Sequence, residues 1–293
     1  LIDNPAAAIC RSLAQTMTNS TSSLVPMSLI GGGNMAQALI SGWLKQGMNP
    51  SQIHVVDPLA ATRAHLQHSL GVNCHEHAGP ALSASRLVVW AVKPQVFQAV
   101  AQPLAGLFAQ ALHLSVAAGV LSDSICRWLG TKRVVRAMPN TPALVGLGQT
   151  GLFARSGVTP AERDQVQALM QAVGQSVWVE TEDLLDAVTA VSGSGPAYVF
   201  FFIEAMVQAG VTMGLSAEQA HQLAVGTFVG ASELARSSSE SPAVLRERVT
   251  SKGGTTYAAI TRMQADGVNG LIEQAMRSAQ QRAVELGDSL DQN

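Results

Sequence analysis

The run SLIGGGNMAQALISG, residues 28–42, ends an apolar stretch in three glycines and restarts with helical spacing. Gly31, Gly33 and Ala36 stand in G-x-G-x-x-A register. That spacing serves one chemistry well: the first glycine permits a tight strand-to-helix turn, the second lets main chain approach a pyrophosphate, and the alanine lets helix pack close on strand. Gly32, Asn34 and Met35 complete the turn, whose helix start offers unpaired N–H groups and partial positive charge to phosphate oxygens. A dinucleotide is the implied ligand; the competing reading is a tight turn that binds nothing. Asp57 weighs against the bare turn, because it ends the next apolar run about twenty residues past the loop, where an acidic residue meets an adenosine ribose. Asp57 favours the free 2′-hydroxyl of NAD, and Arg63, in the following helix pattern, the 2′-phosphate of NADP. Together they leave NADPH and NADH both open.

Further along, AVKPQ (91–95) ends a strand pattern, at the carboxyl edge where open α/β sheets bind ligands. Ala91, Val92, Lys93 and Pro94 are therefore candidates beside the dinucleotide, Lys93 for its ribose or phosphate and Pro94 as a stiffener of the loop. SVAAG (115–119) and RAMPNTPA (136–143) end later strand patterns in small or turn residues. Ala117, Ala118 and Gly119 leave room for a nicotinamide ring, and Asn140 and Thr141 carry hydrogen-bonding groups near it. In SGSGPAY (192–198), Ser194 lies between glycines. A nucleophile elbow needs a preceding strand, which is not expected here, so a tight helix break that brings main chain close to substrate is the better reading. VTSKGGTTYAAI (249–260) places Gly253, Gly254, Thr255 and Thr256 directly before a helix pattern. Their N–H groups can converge on an anion such as a carboxylate; the alternative is a helix merely capped by Thr255 or Thr256. Cys74, His75 and His77 lack a second cluster to complete a metal site, so no metal is expected.

The elements that must position these residues change character along the chain. Strand patterns fall at 25–30, 53–57, 86–92, 112–119, 132–138, 150–155 and 176–180, several of them near-continuous apolar runs that read as strands covered on both faces. Between them lie helix signals: Met35, Leu39 and Trp43 at i, i+4, i+8, and a capping box from Thr159 to Glu162 with Pro160 at the first helical position. Alternation of strand and helix predicts an α/β, Rossmann-type, mostly parallel sheet with helices on both faces over residues 25–180. After 181 strand patterns vanish, and helix patterns at 181–191, 196–213, 216–235, 242–249, 255–266 and 269–287 predict an all-helical second domain over 181–293. Residues 1–24 read as a loose leader with neither a signal-peptide nor a transit-peptide pattern.

Composition narrows the partners. The 293 residues are 47% hydrophobic and 13% charged, with 18 Lys and Arg against 20 Asp and Glu. That balance argues against a nucleic-acid partner, and the low charge points to buried contacts between subunits. Cys10, Cys74 and Cys126 are far apart and odd in number, which implies a reducing, cytoplasmic setting. The longest uncharged stretch, 94–122, is broken by Gln95, Gln98, Gln102, Pro103, Gln110 and His113; it reads as helix, turn and strand rather than a membrane span.

Taken in order, GGGNMAQALISG, AVKPQ, RAMPNTPA, DAVTAVSGSGPAY and VTSKGGTT resemble the pyrroline-5-carboxylate reductases, with the last two stretches the most specific. The resemblance implies that NADPH, with NADH an alternative, lies over Gly31–Ala36 and beside Lys93 and Ala117–Gly119, and gives hydride to C5 of the cyclic imine 1-pyrroline-5-carboxylate. It places the substrate carboxylate on the N–H groups at Gly253–Thr256, and gives Thr256 a hydrogen bond to the ring nitrogen. Glu182 corresponds to a substrate-site acid; a helix first-turn glutamate favoured by the dipole is the alternative. The helical domain is expected to interlock with a second copy as a homodimer, from which decamers are often built. Two departures stand out: Lys252 where many members have proline, and His77 and Ala78 where many place an asparagine ahead of the AVKP lysine. A relative acting on another cyclic imine or a 3-hydroxy acid, or a non-catalytic NADP sensor, also fits these stretches.

Overall fold

The computed structural model describes residues 26–291, so the leader reading of residues 1–24 lies outside the described residues. The chain divides into two compact units, one running to Glu182 and taking in the chain end from Ser289, the other spanning Asp183–Asp288.

The first unit is built on eight strands: β1 (Met27–Ile30), β2 (Ile53–Val56), β3 (Asn73–His75), β4 (Leu87–Trp90), β5 (Leu112–Ser115), β6 (Val134–Met138), β7 (Gly148–Ala154) and β8 (Gly174–Trp178). Their order is β3-β2-β1-β4-β5-β6-β7-β8, parallel throughout except for the antiparallel β6–β7 pair. β1 is flanked by β2 and β4, so the strand order reverses there and leaves a crevice at its carboxyl end. Helices α1 (Asn34–Lys45), α2 (Ala60–Leu70), α3 (Phe97–Ala101), α4 (Ser122–Leu129) and α5 (Pro160–Gln171) join the strands. Successive strand side chains feed two cores. Leu29, Val55, Val89 and Leu114 pack with Leu39 and Trp43 of α1, whereas Ile30, Val56, Val88 and Trp90 pack with Phe97 and Ile125. Burial on both faces is why these strands read as unbroken apolar runs. The Thr159–Glu162 capping box forms as its spacing predicts.

Two expectations need correction here. β3 escaped the sequence reading, because three half-buried residues at the sheet edge carry no period. The strand expected over 112–119 stops at Ser115, where the Ser115 hydroxyl accepts the Ala117 N–H at 3.3 Å and Gly119 turns to φ +75°.

The second unit is helical: α6 (Leu184–Val188), α7 (Gly195–Thr212), α8 (Ala217–Ser237), α9 (Pro242–Arg248), α10 (Thr255–Ala265) and α11 (Val268–Asp291), whose last residues count with the first unit. The break expected at SGSGPAY is absent. Instead α6 widens into a π-helical turn, Thr189–Gly193, and runs on into α7; the Ser194 N–H donates to the Thr189 carbonyl at 2.8 Å, five residues back. One extra residue is thus accommodated without leaving the helical region. The continuous run Leu184–Thr212 is also long and apolar enough, by length and composition, to cross a membrane, and little of it is buried. In α7, α8 and α11 the buried residues are small, namely Gly210, Ala220, Ala224, Ala283 and Gly287. A Cβ on Gly210 would stand 2.9 Å from that of Ala220, so α7 and α8 touch at near-backbone range.

Candidate functional site

At the β1 crevice a cavity of about 550 Å³ opens, lined by Gly31, Gly32, Gly33, Asp57, Ala91, Val92 and Lys93 among others, within the size range of small-molecule sites. The three glycines differ. Gly31 has φ +97°, and an added Cβ would lie 2.7 Å from the Ala91 carbonyl oxygen; at Gly32 it would meet Leu66 at 2.8 Å and Thr62 at 2.9 Å. Around Gly33 nothing lies within 4 Å, and its dihedrals are those of any extended residue. The fold therefore requires Gly31 to be bare and crowds Gly32 against two side-chain ends, whereas Gly33 is bare toward open space, as an approaching phosphate group needs. Gly33 is also the N-cap of α1 and supplies no side-chain cap, leaving the helix N–H groups of Asn34 and Met35 to a ligand. Ala36 is fully buried. The residues at hand thus fit a dinucleotide.

Asp57 stands at the end of β2, nearly buried, and its carboxylate is engaged by main chain: one oxygen accepts from the Gly32 N–H and the other from the Leu59 N–H, both at 2.9 Å. It ties the glycine loop to the start of α2. Arg63 lies beside it, with Nη1 donating to the carbonyls of Asp57 and Pro58 at 2.8 Å and Nη2 to Glu76 at 3.1 Å. Lys93 is exposed and precedes the 3₁₀ turn that Pro94 begins. Ala117, Ala118, Gly119 and Asn140 follow β5 and β6 along the same strand ends but do not line this cavity. Asn140 accepts the Gln149 N–H at 2.8 Å and so fastens the β6–β7 connection. Burial raises the pKa of the Cys74 and Cys126 thiols, which disfavours their thiolate forms.

Glu182 belongs to a different constellation. Its carboxylate pairs with Arg136 at 2.6 Å, the arginine being 6% exposed, and accepts the Ser122 N–H at 2.6 Å and the Ser122 hydroxyl. It therefore caps α4 from a distance of 60 residues in sequence, not the helix that follows it. The charge of Arg136 amid the apolar residues of β6, VVRAM, was the available signal, since a buried guanidinium must find a partner. Glu76, Val96, Val100 and Leu104 line the cavity and were not singled out in the sequence. The three apolar ones come from the stretch weighed as a membrane span.

In the second unit the N-cap of α10 is Gly254, not Thr255 or Thr256, and no side chain caps the helix. Gly253 turns the chain with φ +76°. The Gly254 N–H is consumed by the Ser251 carbonyl at 3.0 Å, so the converging donors are those that head the helix, Thr255, Thr256 and Tyr257, with the Ala258 N–H closing the first turn on Gly254. Ser194 closes the π-helical turn and starts α7.

Comparison with known proteins bears on both units. A family model described as pyrroline-5-carboxylate reductase dimerisation matches residues 182–286, and one described as NADP oxidoreductase, coenzyme F420-dependent, matches 26–119. A pyrroline-5-carboxylate reductase of Pseudomonas aeruginosa is 46% identical over 91% of this chain and 98% of its own length. The chain belongs to the pyrroline-5-carboxylate reductase family. Among solved structures, the pyrroline-5-carboxylate reductase of Coxiella burnetii matches with a TM-score of 0.86 at 36% identity, covering 90% of this chain and 99% of that one. The Plasmodium falciparum pyrroline carboxylate reductase, solved with NADP bound, matches with a TM-score of 0.80 at 25% identity over 90% and 98%. The helical part of this chain therefore carries the pyrroline-5-carboxylate reductase dimerisation sequence.

Proposed function

We propose that this chain reduces 1-pyrroline-5-carboxylate to L-proline, the final step of proline biosynthesis, as an NAD(P)H-dependent oxidoreductase that uses NADPH, with NADH an alternative donor. The observation that carries the reading is the glycine loop, bare toward open space at Gly33, in a chain of this family. Residues 25–180 serve as the dinucleotide-binding domain and 181–293 as the helical substrate and dimerisation domain.

When bound, the nicotinamide supplies hydride to the C=N carbon. The chain's own residues hold and orient. Gly31–Ala36 and the start of α1 take the pyrophosphate, Asp57 and Arg63 the adenosine ribose end, and Ala91–Pro94 with Ala117–Gly119 and Asn140 the remainder. At α10, Gly253 turns the chain so that the N–H groups of Thr255 and Thr256 receive the substrate carboxylate, helped by the helix dipole. The Thr256 hydroxyl accepts from the ring N–H, steadying the protonated imine as it becomes an amine. Ser194 presents main chain to substrate at the π-helical turn, and Glu182, committed to Arg136 and Ser122, takes a positioning part. Preorganised donors and orientation supply most of the acceleration in such a reaction. The exposed apolar faces of α7, α8 and α11 are covered by a second copy, as an interlocked homodimer and in decamers built from dimers. The setting is cytoplasmic, and neither nucleic acid nor membrane enters the reaction.

The test follows loss of nicotinamide absorbance with pyrroline-5-carboxylate and either NADPH or NADH. Rapid oxidation is expected, with turnover reduced by roughly one to three powers of ten in Thr256→Ala. Dinucleotide binding without oxidation by either cofactor would leave a sensor or a reductase of another acid in its place.

A further inference from the structure

We propose that Glu76 sets how strongly this chain prefers a 2′-phosphorylated dinucleotide, by occupying the face of the Arg63 guanidinium that the phosphate would take. The inference rests on the dinucleotide reading of the glycine loop. Arg63 does not depend on a ligand for its position: its Nη1 is held by the Asp57 and Pro58 carbonyls at 2.8 Å, which fixes the guanidinium at the carboxyl end of β2. Its Nη2 donates to Glu76 at 3.1 Å. Glu76 follows directly on β3, and the His75 carbonyl accepts the Asp57 N–H at 3.0 Å, so the two strand ends lie side by side and Glu76 lines the cavity. Asp57 has each oxygen accepting a main-chain N–H, and the carboxylate on the Arg63 side chain is that of Glu76.

The two partners of the ion pair differ in kind. The Arg63 side chain is 18% exposed and Glu76 57%, so the cation is fixed and the anion is hydrated. A pair of this sort is weak and reversible, whereas a phosphate group can engage a guanidinium with two parallel hydrogen bonds. A 2′-phosphate therefore displaces Glu76, and an unphosphorylated ribose leaves it in place. His77 stands ready beside the displaced carboxylate, its Nε2 3.5 Å from the second oxygen. The remaining negative charge next to the phosphate lowers affinity for the phosphorylated cofactor and keeps the unphosphorylated one usable.

Calorimetric titration of the purified protein with NADP⁺ and with NAD⁺ reads this without turnover, in the unaltered chain, Glu76→Gln and Arg63→Gln. Glu76→Gln should bind NADP⁺ roughly two- to fivefold more tightly with NAD⁺ unchanged. Arg63→Gln should weaken NADP⁺ by roughly ten- to a hundredfold and NAD⁺ by clearly less. An unchanged affinity ratio in Glu76→Gln would overturn the proposal while leaving the dinucleotide site intact. So would weaker NAD⁺ binding in that variant, which would make Glu76 an acceptor for the ribose hydroxyl. If the unaltered chain bound neither dinucleotide, the cofactor reading itself would fail and this inference with it.

Discussion

At Gly31 the main chain has φ +97° and an added Cβ would meet the Ala91 carbonyl, whereas at Gly33, two residues on, the same atom would meet nothing. Gly31→Ala should therefore cost about 1–3 kcal/mol of stability through backbone strain. Gly33→Ala should cost about 1 kcal/mol, because alanine is a poorer N-cap than glycine, and should also weaken dinucleotide binding. Denaturation curves beside a cofactor titration separate the two, and a Gly33→Ala protein that bound NADPH as before would remove the phosphate cradle from the account. His113 offers a second residue-scale test. It sits in β5 with 0% exposure, its Nδ1 accepting the Trp90 indole N–H at 3.1 Å. Burial lowers its pKa from 6.5 to about 4. Between those values the unfolded chain takes up a proton that the folded chain refuses. Stability is thus full above pH 6.5 and falls with pH toward 4, by about 3 kcal/mol in all. Urea midpoints measured across that window should show the slope, and His113→Gln should flatten it.

Helix starts show how the elements share their unpaired N–H groups. α5 and α8 are capped by their own Thr159 and Ser216 boxes, and α9 by Ser241. α2 and α4 borrow carboxylates, from Asp57 to the Leu59 N–H and from Glu182 to the Ser122 N–H. α1 and α10 begin at glycines that supply no side-chain cap, and these are the two starts assigned to anionic groups. Gly254→Asp tests the second of them. A carboxylate there would cap α10 and repel the substrate's own carboxylate, so KM should rise by at least about tenfold while the melting temperature holds or rises. The added Cβ would meet the Ser251 hydroxyl at 2.7 Å, a short side chain that can turn away. An unchanged KM would move the carboxylate site elsewhere.

At the scale of the molecule, each of the two units is stabilised by its own means. The first buries large side chains on both faces of its sheet. The second leaves Phe201, Leu223, Val229 and Leu271 at 69, 59, 66 and 59% exposure and buries chiefly glycine and alanine in its long helices. A helical unit with so little core is expected to gain stability where self-association covers its apolar surface. Phe201→Glu should convert the assembly to monomers in sedimentation and lower the melting temperature, because a charge replaces an apolar contact. Retention of the parental mass would mean that this face is not the one covered.

The features legible in the sequence depend on near neighbours along the chain. The Gly31–Gly33–Ala36 turn, the Thr159–Glu162 box and the switch from alternating elements to helices near residue 181 all rest on spacings of a few residues or on periods of two and 3.6. The features that were not legible depend on partners brought near by folding. β3 became a strand because β2 was there to pair with it. Glu182 closed on Arg136, 46 residues earlier, because a buried guanidinium takes the nearest carboxylate in space. The Gly254 N–H turned back to Ser251, so the donors left at α10 depend on one local turn that composition does not reveal. Hydrogen bonds and ion pairs have a reach of a few ångströms, and only the packed chain specifies which groups fall within it.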